Sequence, residues 1–485
     1  MLRSLFTSPL FRRRLISSVL LASTTLGQWA IATAAMAQTG RFCHLSPAEV
    51  SRKNTLREAA AQGNPQAQRD YQAIVRQHSQ WMQDCRQRTW PRTQAIWLRL
   101  YPCDLEPGVL DDVFDRIVNQ GYNAVYIEVF YDSQVLLPAA DNPTPWVSAL
   151  RSPGQENVDL FAMGLEKARD RNLKAYAWLF AMNYGYAYAV RPDRQQNMAR
   201  NGRGETSLNF VHDGSQGFID PYSPQGRAEY ATLVQAILRR RPDGVLFDYI
   251  RYPRGSGGDS VITRVQDLWI YGEASRNALL NRATNNQGRE LINRYLNQGS
   301  ISGGDIQAAK SLHPGESAPQ WQGLNSSNLN WELWRLALAH AAQGVIDFLH
   351  TAATPVLRQG IPAGAVFFPD GNRPVGQGGY DSRLQPWDRF SPQLEWHPMS
   401  YAICGNGTHC IVDEVRRVFD FAPPGTKIVP ALAGRWGQVE RAHPPLEQQM
   451  AALQQAFPQL DTVSHFAYAW IEPAHDRARQ SCPRR

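Results

Sequence analysis

Asp243-Gly244-Val245-Leu246-Phe247-Asp248-Tyr249-Ile250-Arg251-Tyr252-Pro253 decides the fold of this chain. Uncharged residues run from Gly244 to a carboxylate at Asp248, and aromatic and Arg side chains follow at once. A short apolar run of this kind is a strand buried on both faces, as in the parallel sheets of α/β proteins, and it delivers its terminal charge to the edge where such proteins keep their chemistry. Working outward, seven similar runs occupy residues 95–99, 124–129, 175–180, 364–368, 394–399, 427–432 and 463–470. Helix-like stretches lie between them near 109–120, 158–171, 224–240, 331–358, 411–420 and 444–457, and the connection from the fifth run to the sixth is the least clear. Eight strand–helix units predict a (β/α)8 TIM barrel. An open doubly wound sheet is the other arrangement of such units, but no G-x-G-x-x-G follows any strand.

The barrel is expected over residues 91–485, after a small helical N-terminal segment at 38–90. There Ser46-Pro47-Ala48-Glu49 carries the Ser, the N1 Pro and the N3 Glu of a capped helix start. A long insertion at about 255–329 follows the fourth strand, so it would overhang the strand C-terminal ends. Residues 1–37 read as a signal peptide: Arg12-Arg13-Arg14, an apolar run from Leu15, and Ala35-Met36-Ala37 as the cleavage site. Gln28 interrupts the apolar stretch, which is short of the ~20 residues of a membrane span. A secreted or periplasmic protein with no stable membrane insertion is the expectation.

Loss of the signal lowers the 50 basic side chains to 46 against 43 acidic ones, a net of +3. Only Arg239-Arg240-Arg241 and the tail Arg484-Arg485 cluster, so nucleic acid is not an expected partner. The six cysteines form no C-x2-C pair, and in an oxidising compartment an even count points to disulfides. Cys404 and Cys410 close a short Gly-rich loop; Cys43 with Cys85 and Cys103 with Cys482 are the pairings expected for the rest.

Phe218-Ile219-Asp220-Pro221-Tyr222-Ser223-Pro224, followed by a helix and then Asp243 to Pro253, resembles the core of the glycosyl-hydrolase-like family 10 of bacterial exported barrels. The resemblance extends through Gly121 to Tyr126, Arg171 to Trp178 and, more loosely, Pro398 to Tyr401, and covers about residues 94–475. It implies a barrel acting on a cell-wall or exopolysaccharide glycan, with a catalytic role at Asp248. Arg251 and local dipoles are expected to keep Asp248 ionised, which suits a nucleophile or charge stabiliser facing an oxocarbenium-like transition state. Asp220, between prolines and a helix start, reads as structural.

Glycoside hydrolysis needs a second carboxyl group. The candidates near strand ends are Asp370, which leads on topology, with Glu128 and Glu472. Flat apolar faces and polar groups for sugar are expected among Arg99, Tyr126, Trp178, Tyr249, Arg251, Tyr252, His397, Tyr401, Trp436 and Trp470, with about half of the aromatics in a groove and Trp436 and Trp470 the favoured platforms. No H-x-H, H-E-x-x-H or G-x-S-x-G occurs, so neither a metal hydrolase nor a serine hydrolase is expected, and the chemistry requires no cofactor. The function expected is glycoside hydrolysis by carboxylate acid/base catalysis. A non-catalytic glycan-binding barrel of the cell envelope is the alternative.

Overall fold

The computed structural model describes residues 42–211, 214–405 and 407–481; residues 1–37, expected to be a signal peptide, and Cys482 lie outside them. Eight parallel strands close into a barrel: β1 Thr93–Leu98, β2 Ala124–Tyr131, β3 Lys174–Phe180, β4 Gly244–Asp248, β5 Ala363–Phe367, β6 Glu395–Ser400, β7 Ala431–Ala433 and β8 Thr462–Phe466. Each strand pairs with its sequence neighbours, and β1 pairs with β8 as well as β2, which leaves the barrel no free edge. β7 is shorter than its apolar run because Pro430 has no N–H to give the ladder, so Ile428 makes only an isolated bridge to Trp396. β8 also ends early, where Tyr468–Ile471 turns into a short helix.

The helices longer than one turn are α1 Pro47–Ala61, α2 Pro65–Arg88, α3 Val109–Asn119, α4 Leu160–Arg169, α5 Pro224–Leu238, α6 Glu273–Leu280, α7 Asn286–Gln298, α8 Gly303–Leu312, α9 Leu329–Leu357, α10 His409–Phe421, α11 Leu446–Ala456 and α12 Pro473–Gln480. The Ser46–Glu49 capping box opens α1. The α1–α2 pair docks on α3 through a buried ion cluster, in which Asp115 accepts from Arg57 at 3.1 Å, from Arg171 at 3.0 Å and from the Tyr71 hydroxyl at 2.8 Å. Burial alone would raise the Asp115 pKa, but Arg171 and Lys53 outweigh it and hold the carboxyl below its ordinary value. A Cys43–Cys85 disulfide ties the chain ahead of α1 to α2.

The fifth connection has no α-helix. It holds a small hairpin, Pro374–Val375 with Gly379–Asp381, and one 3-10 turn at Trp387–Arg389. Trp387 fills the space, fully buried and stacked on Phe367 at 4.9 Å. Val261–Ile262 of the segment after β4 joins that hairpin as a third strand, so the loops after β4 and β5 are one packed unit. Among the described residues no helix is long and apolar enough to cross a membrane.

Aromatic rings fill the barrel centre. Trp97 meets Trp178 at 4.9 Å and Tyr126 at 5.1 Å, and Tyr126 meets Tyr176 at 5.3 Å and His397 at 5.6 Å. Two glycines make room. A Cβ on Gly244 would lie 2.3 Å from the Tyr176 ring, and one on Gly364 would meet Leu246 at 2.6 Å and His397 at 2.8 Å. The floor of the barrel is therefore a packed plug, and chemistry is confined to the rim above it.

Candidate active site

Alternation along β4 turns Leu246 into the barrel, and Asp248, two residues on and last in the strand, rises above it on the same face. Trp178 on neighbouring β3 donates from Nε1 to Asp248 Oδ2 at 3.1 Å, and the Tyr249 backbone N–H donates to Oδ1 at 2.6 Å. Tyr249 has a left-handed φ of 52°, a conformation a bulky residue adopts at a cost of order 1 kcal/mol. The turn lays the Tyr249 ring on Phe180 at 4.3 Å, with the Arg251 guanidinium 4.6 Å from the same ring.

Burial pushes the Asp248 pKa up to about 6, against the lowering effects of the Tyr249 N–H, Arg251 and Trp178. Arg251 acts in the expected direction, but desolvation is the larger effect. A carboxyl with a pKa about 6 exchanges protons near neutrality, which suits an acid or base as well as a charge stabiliser.

Glu128 follows Ala124 and Tyr126 on the inward face of β2, and a register shift lies between it and Phe130. Arg99, just beyond β1, donates to both its oxygens, from Nε to Oε2 and from Nη2 to Oε1 at 3.0 Å, and lies 4.4 Å over the Tyr131 ring. Burial nevertheless raises the Glu128 pKa, and the charge of Asp248 adds to the rise. These two carboxyls face one rim.

Beyond β6, Tyr401 packs on Phe466 at 5.8 Å, and its buried hydroxyl has no hydrogen-bond partner among the described residues. Burial raises its pKa, with contributions from both Asp248 and Glu414. Glu414, absent from the sequence candidates, lies in the second turn of α10 and accepts from the Ala402 N–H at 3.0 Å. Its pKa is pushed up to about 7, first by burial and further by Asp370, against Arg373 and Arg383. The Cys404–Cys410 disulfide closes the loop between β6 and α10. Trp470 is half-buried at the same rim, under the Arg441 guanidinium at 5.0 Å and beside His443 at 5.5 Å; His443 Nε2 is 3.1 Å from the Tyr401 carbonyl.

The structure therefore brings Asp248, Glu128, Arg99, Trp178, Tyr249, Arg251, Tyr401 and Trp470 to the C-terminal end of the barrel. Several other candidates fall elsewhere. Tyr126 and His397 belong to the barrel plug, and Tyr252 is fully buried with its hydroxyl donating to the Ala341 carbonyl at 3.2 Å, so none of the three is a sugar contact. Trp436 packs in the outer shell against Phe42 and His44, with Nε1 donating to the Tyr122 hydroxyl at 3.2 Å. Glu472 is a strut between layers, held by Gln120 and by Arg116 of α3 at 3.1 Å. Asp370 lies at the rim but pairs with the buried Arg383 at 3.0 Å and is 41 % exposed. Asp220, read as structural from the sequence, accepts from Tyr222 N and Ser275 N, both at 2.9 Å, joining the loop before α5 to α6. Two of the expected disulfides form, and Cys103 is also disulfide-bonded. Among the described residues no group of three or more His, Cys, Asp or Glu side chains is arranged to hold a metal ion.

No curated protein matches this sequence. Among solved structures, the chain is similar to the PgaB (BpsB) glycoside hydrolase domain of Bordetella bronchiseptica, at 16 % identity over 80 % of this chain and 98 % of that one, with a TM-score of 0.47. It is also similar to a GH18 chitinase from Pseudoalteromonas aurantia, at 8 % identity over 79 % of this chain and 99 % of that one, with a TM-score of 0.36. A GH20 exo-β-N-acetylglucosaminidase from Vibrio harveyi gives 8 % identity over 79 % and 50 %, with a TM-score of 0.37. Residues 81–337, which are more than half of the chain and include β1 to β4 with Asp248, match the model of one family, and the protein belongs to it: glycosyl hydrolase-like 10.

Proposed function

We propose that this protein is an exported glycoside hydrolase that cleaves a bacterial cell-wall or exopolysaccharide glycan, with Asp248 as its central carboxyl group. The observation that carries the reading is Asp248 itself: a desolvated carboxyl with a pKa about 6, oriented by Trp178 and ringed by aromatic faces at the C-terminal mouth of a barrel. Membership of a glycosyl hydrolase-like family supports it. Rings such as Trp178, Tyr249 and Trp470 suit the apolar faces of pyranose rings, and Arg99 and Arg251 suit their hydroxyls. Export is supported by the disulfides, which persist in oxidising compartments.

Reducing-end release from a panel of purified bacterial glycans, including peptidoglycan strands and amino-sugar exopolysaccharides, tests the reading with wild type and Asp248→Asn. Release that disappears in the variant while glycan binding persists supports it. Binding without release from any glycan favours a non-catalytic glycan-binding barrel. Release unchanged in Asp248→Asn removes Asp248 from the centre.

A further inference from the structure

We infer that Glu414 is the second carboxyl group of the site, the general acid that protonates the departing sugar, with the Tyr401 hydroxyl between it and Asp248. The inference rests on the glycosidase reading above and deepens it.

Four carboxyl groups reach the mouth, and their surroundings separate them. Both oxygens of Glu128 are taken by Arg99. Asp370 is paired with the buried Arg383 at 3.0 Å and is part-exposed, so it is directed to that guanidinium and to solvent. Asp248 has both oxygens occupied, by Trp178 and the Tyr249 N–H, which are donors that suit its ionised form. Glu414 is different. One oxygen, Oε2, accepts from Ala402 N, and no described residue donates to Oε1. The groups facing it are Asp370, Arg373 and Arg383 from the loop after β5, and the end of β6 with Tyr401 and Ala402. Burial, the largest effect, together with Asp370 outweighs the Ala402 N–H, Arg373 and Arg383 and pushes its pKa up to about 7.

Position supports the same assignment. Asp248 and Glu414 share no hydrogen bond, yet the charges of both act on the Tyr401 hydroxyl, a buried group with no partner among the described residues. A buried hydroxyl left unsatisfied costs about 1–3 kcal/mol unless something fills its valence. A substrate oxygen lying between the two carboxyls would do so. The short disulfide loop Cys404–Cys410 fixes the start of α10 against the end of β6, which holds Glu414 at this rim without placing it on a strand.

The step balances as hydrolysis. The Glu414 proton passes to the glycosidic oxygen while the bond from that oxygen to the anomeric carbon breaks, its electron pair leaving with the departing sugar as a hydroxyl group. Water supplies the oxygen that replaces it and gives up a proton to ionised Asp248. Exchange with solvent then restores both carboxyls.

The test is Glu414→Gln on the glycan that wild type cleaves and on the same sugar joined to dinitrophenol, a leaving group that departs without protonation. Glycan cleavage is expected to fall about 10²–10⁴-fold, the usual contribution of a general acid, while the dinitrophenyl glycoside is turned over within a few-fold of wild type. The alkaline limb of the kcat/KM profile, expected near pH 7, is lost in the variant. Glycan cleavage within a few-fold of wild type overturns the assignment, and so does an equal loss on both substrates, which marks a structural role. An isotope-edited NMR titration of the carboxyl carbons needs no substrate: Glu414 titrating near the ordinary glutamate value of about 4.3 also overturns it. If wild type releases no reducing ends from any glycan, the hydrolase reading falls as a whole; loss confined to the Glu414 assignment leaves Asp248 dependence intact.

Discussion

The ends of β4 and β8 look alike as sequence and differ as structure. Each is an apolar run with a carboxylate at or just beyond its end, Asp248 in one case and Glu472 in the other. Asp248 is the last residue of its strand, so the strand's own alternation turns it into the barrel mouth, where burial pushes its pKa to about 6. Glu472 comes six residues after β8 ends, past a short helix, and bonds to Arg116 and Gln120 in the outer layer. The lesson is geometric: a carboxylate inherits the inward direction of a strand only while it is still in the strand.

Activity should separate the two most strongly. Asp248→Asn is expected to lower kcat/KM for glycan cleavage by about 10³-fold or more, an effect of about 4 kcal/mol or more on the barrier, whereas Glu472→Gln stays within about two-fold. Equal losses, read as reducing-end release, would erase the comparison.

Stability should separate them with opposite sign. The folded-state pKa of Asp248 is raised, so the native protein bears a desolvation cost wherever the group is ionised. Asp248→Asn is expected to stabilise the fold by up to about 3 kcal/mol above pH 6, since its pKa rises from 3.8 to about 6 and each unit is ~1.4 kcal/mol. The gain shrinks as pH falls through that range and is absent below pH 3.8. Urea unfolding at pH 8 and pH 3.5 measures it, and a variant less stable than wild type at pH 8 would contradict the buried-charge account.

Arg99→Ala sharpens the picture at the same rim by leaving Glu128 buried without its partner. Because the Arg99 side chain is 41 % exposed and that of Glu128 fully buried, a loss of about 2 kcal/mol is expected, below the 3–5 kcal/mol of a fully buried pair. The loss should shrink on acidification, as protonation removes the unpaired charge. The smallest effect is Glu472→Gln, which weakens a partly exposed ion pair and should cost about 0.5 kcal/mol in urea unfolding at neutral pH.

Much of the site was legible because it lies on strands. Glu128, Trp178 and Asp248 stand on inward-facing positions of β2, β3 and β4, and period-two alternation with a charge near a strand end is visible in the sequence. The same rule misread Tyr126 and His397, since an inward-facing ring belongs to the plug or to the rim according to its height in the barrel, which depends on register between strands. Glu414 had no such signal. On an amphipathic helix, a glutamate in the second turn looks like any solvated residue; only the Ala402 N–H and the neighbouring Asp370 mark it.

The sequence by itself determined the eight apolar strands, the capped α1, the short Cys404–Cys410 loop and the carboxyl at the end of β4, because each depends on local pattern or on spacing along the chain. Tertiary structure alone decided which carboxyls come together at the rim and in which direction burial and neighbouring charges move their pKa values. Both depend on desolvation and on charges brought together from β2, β4, the loop after β5 and α10, segments whose separations in sequence carry no record of their distances in space.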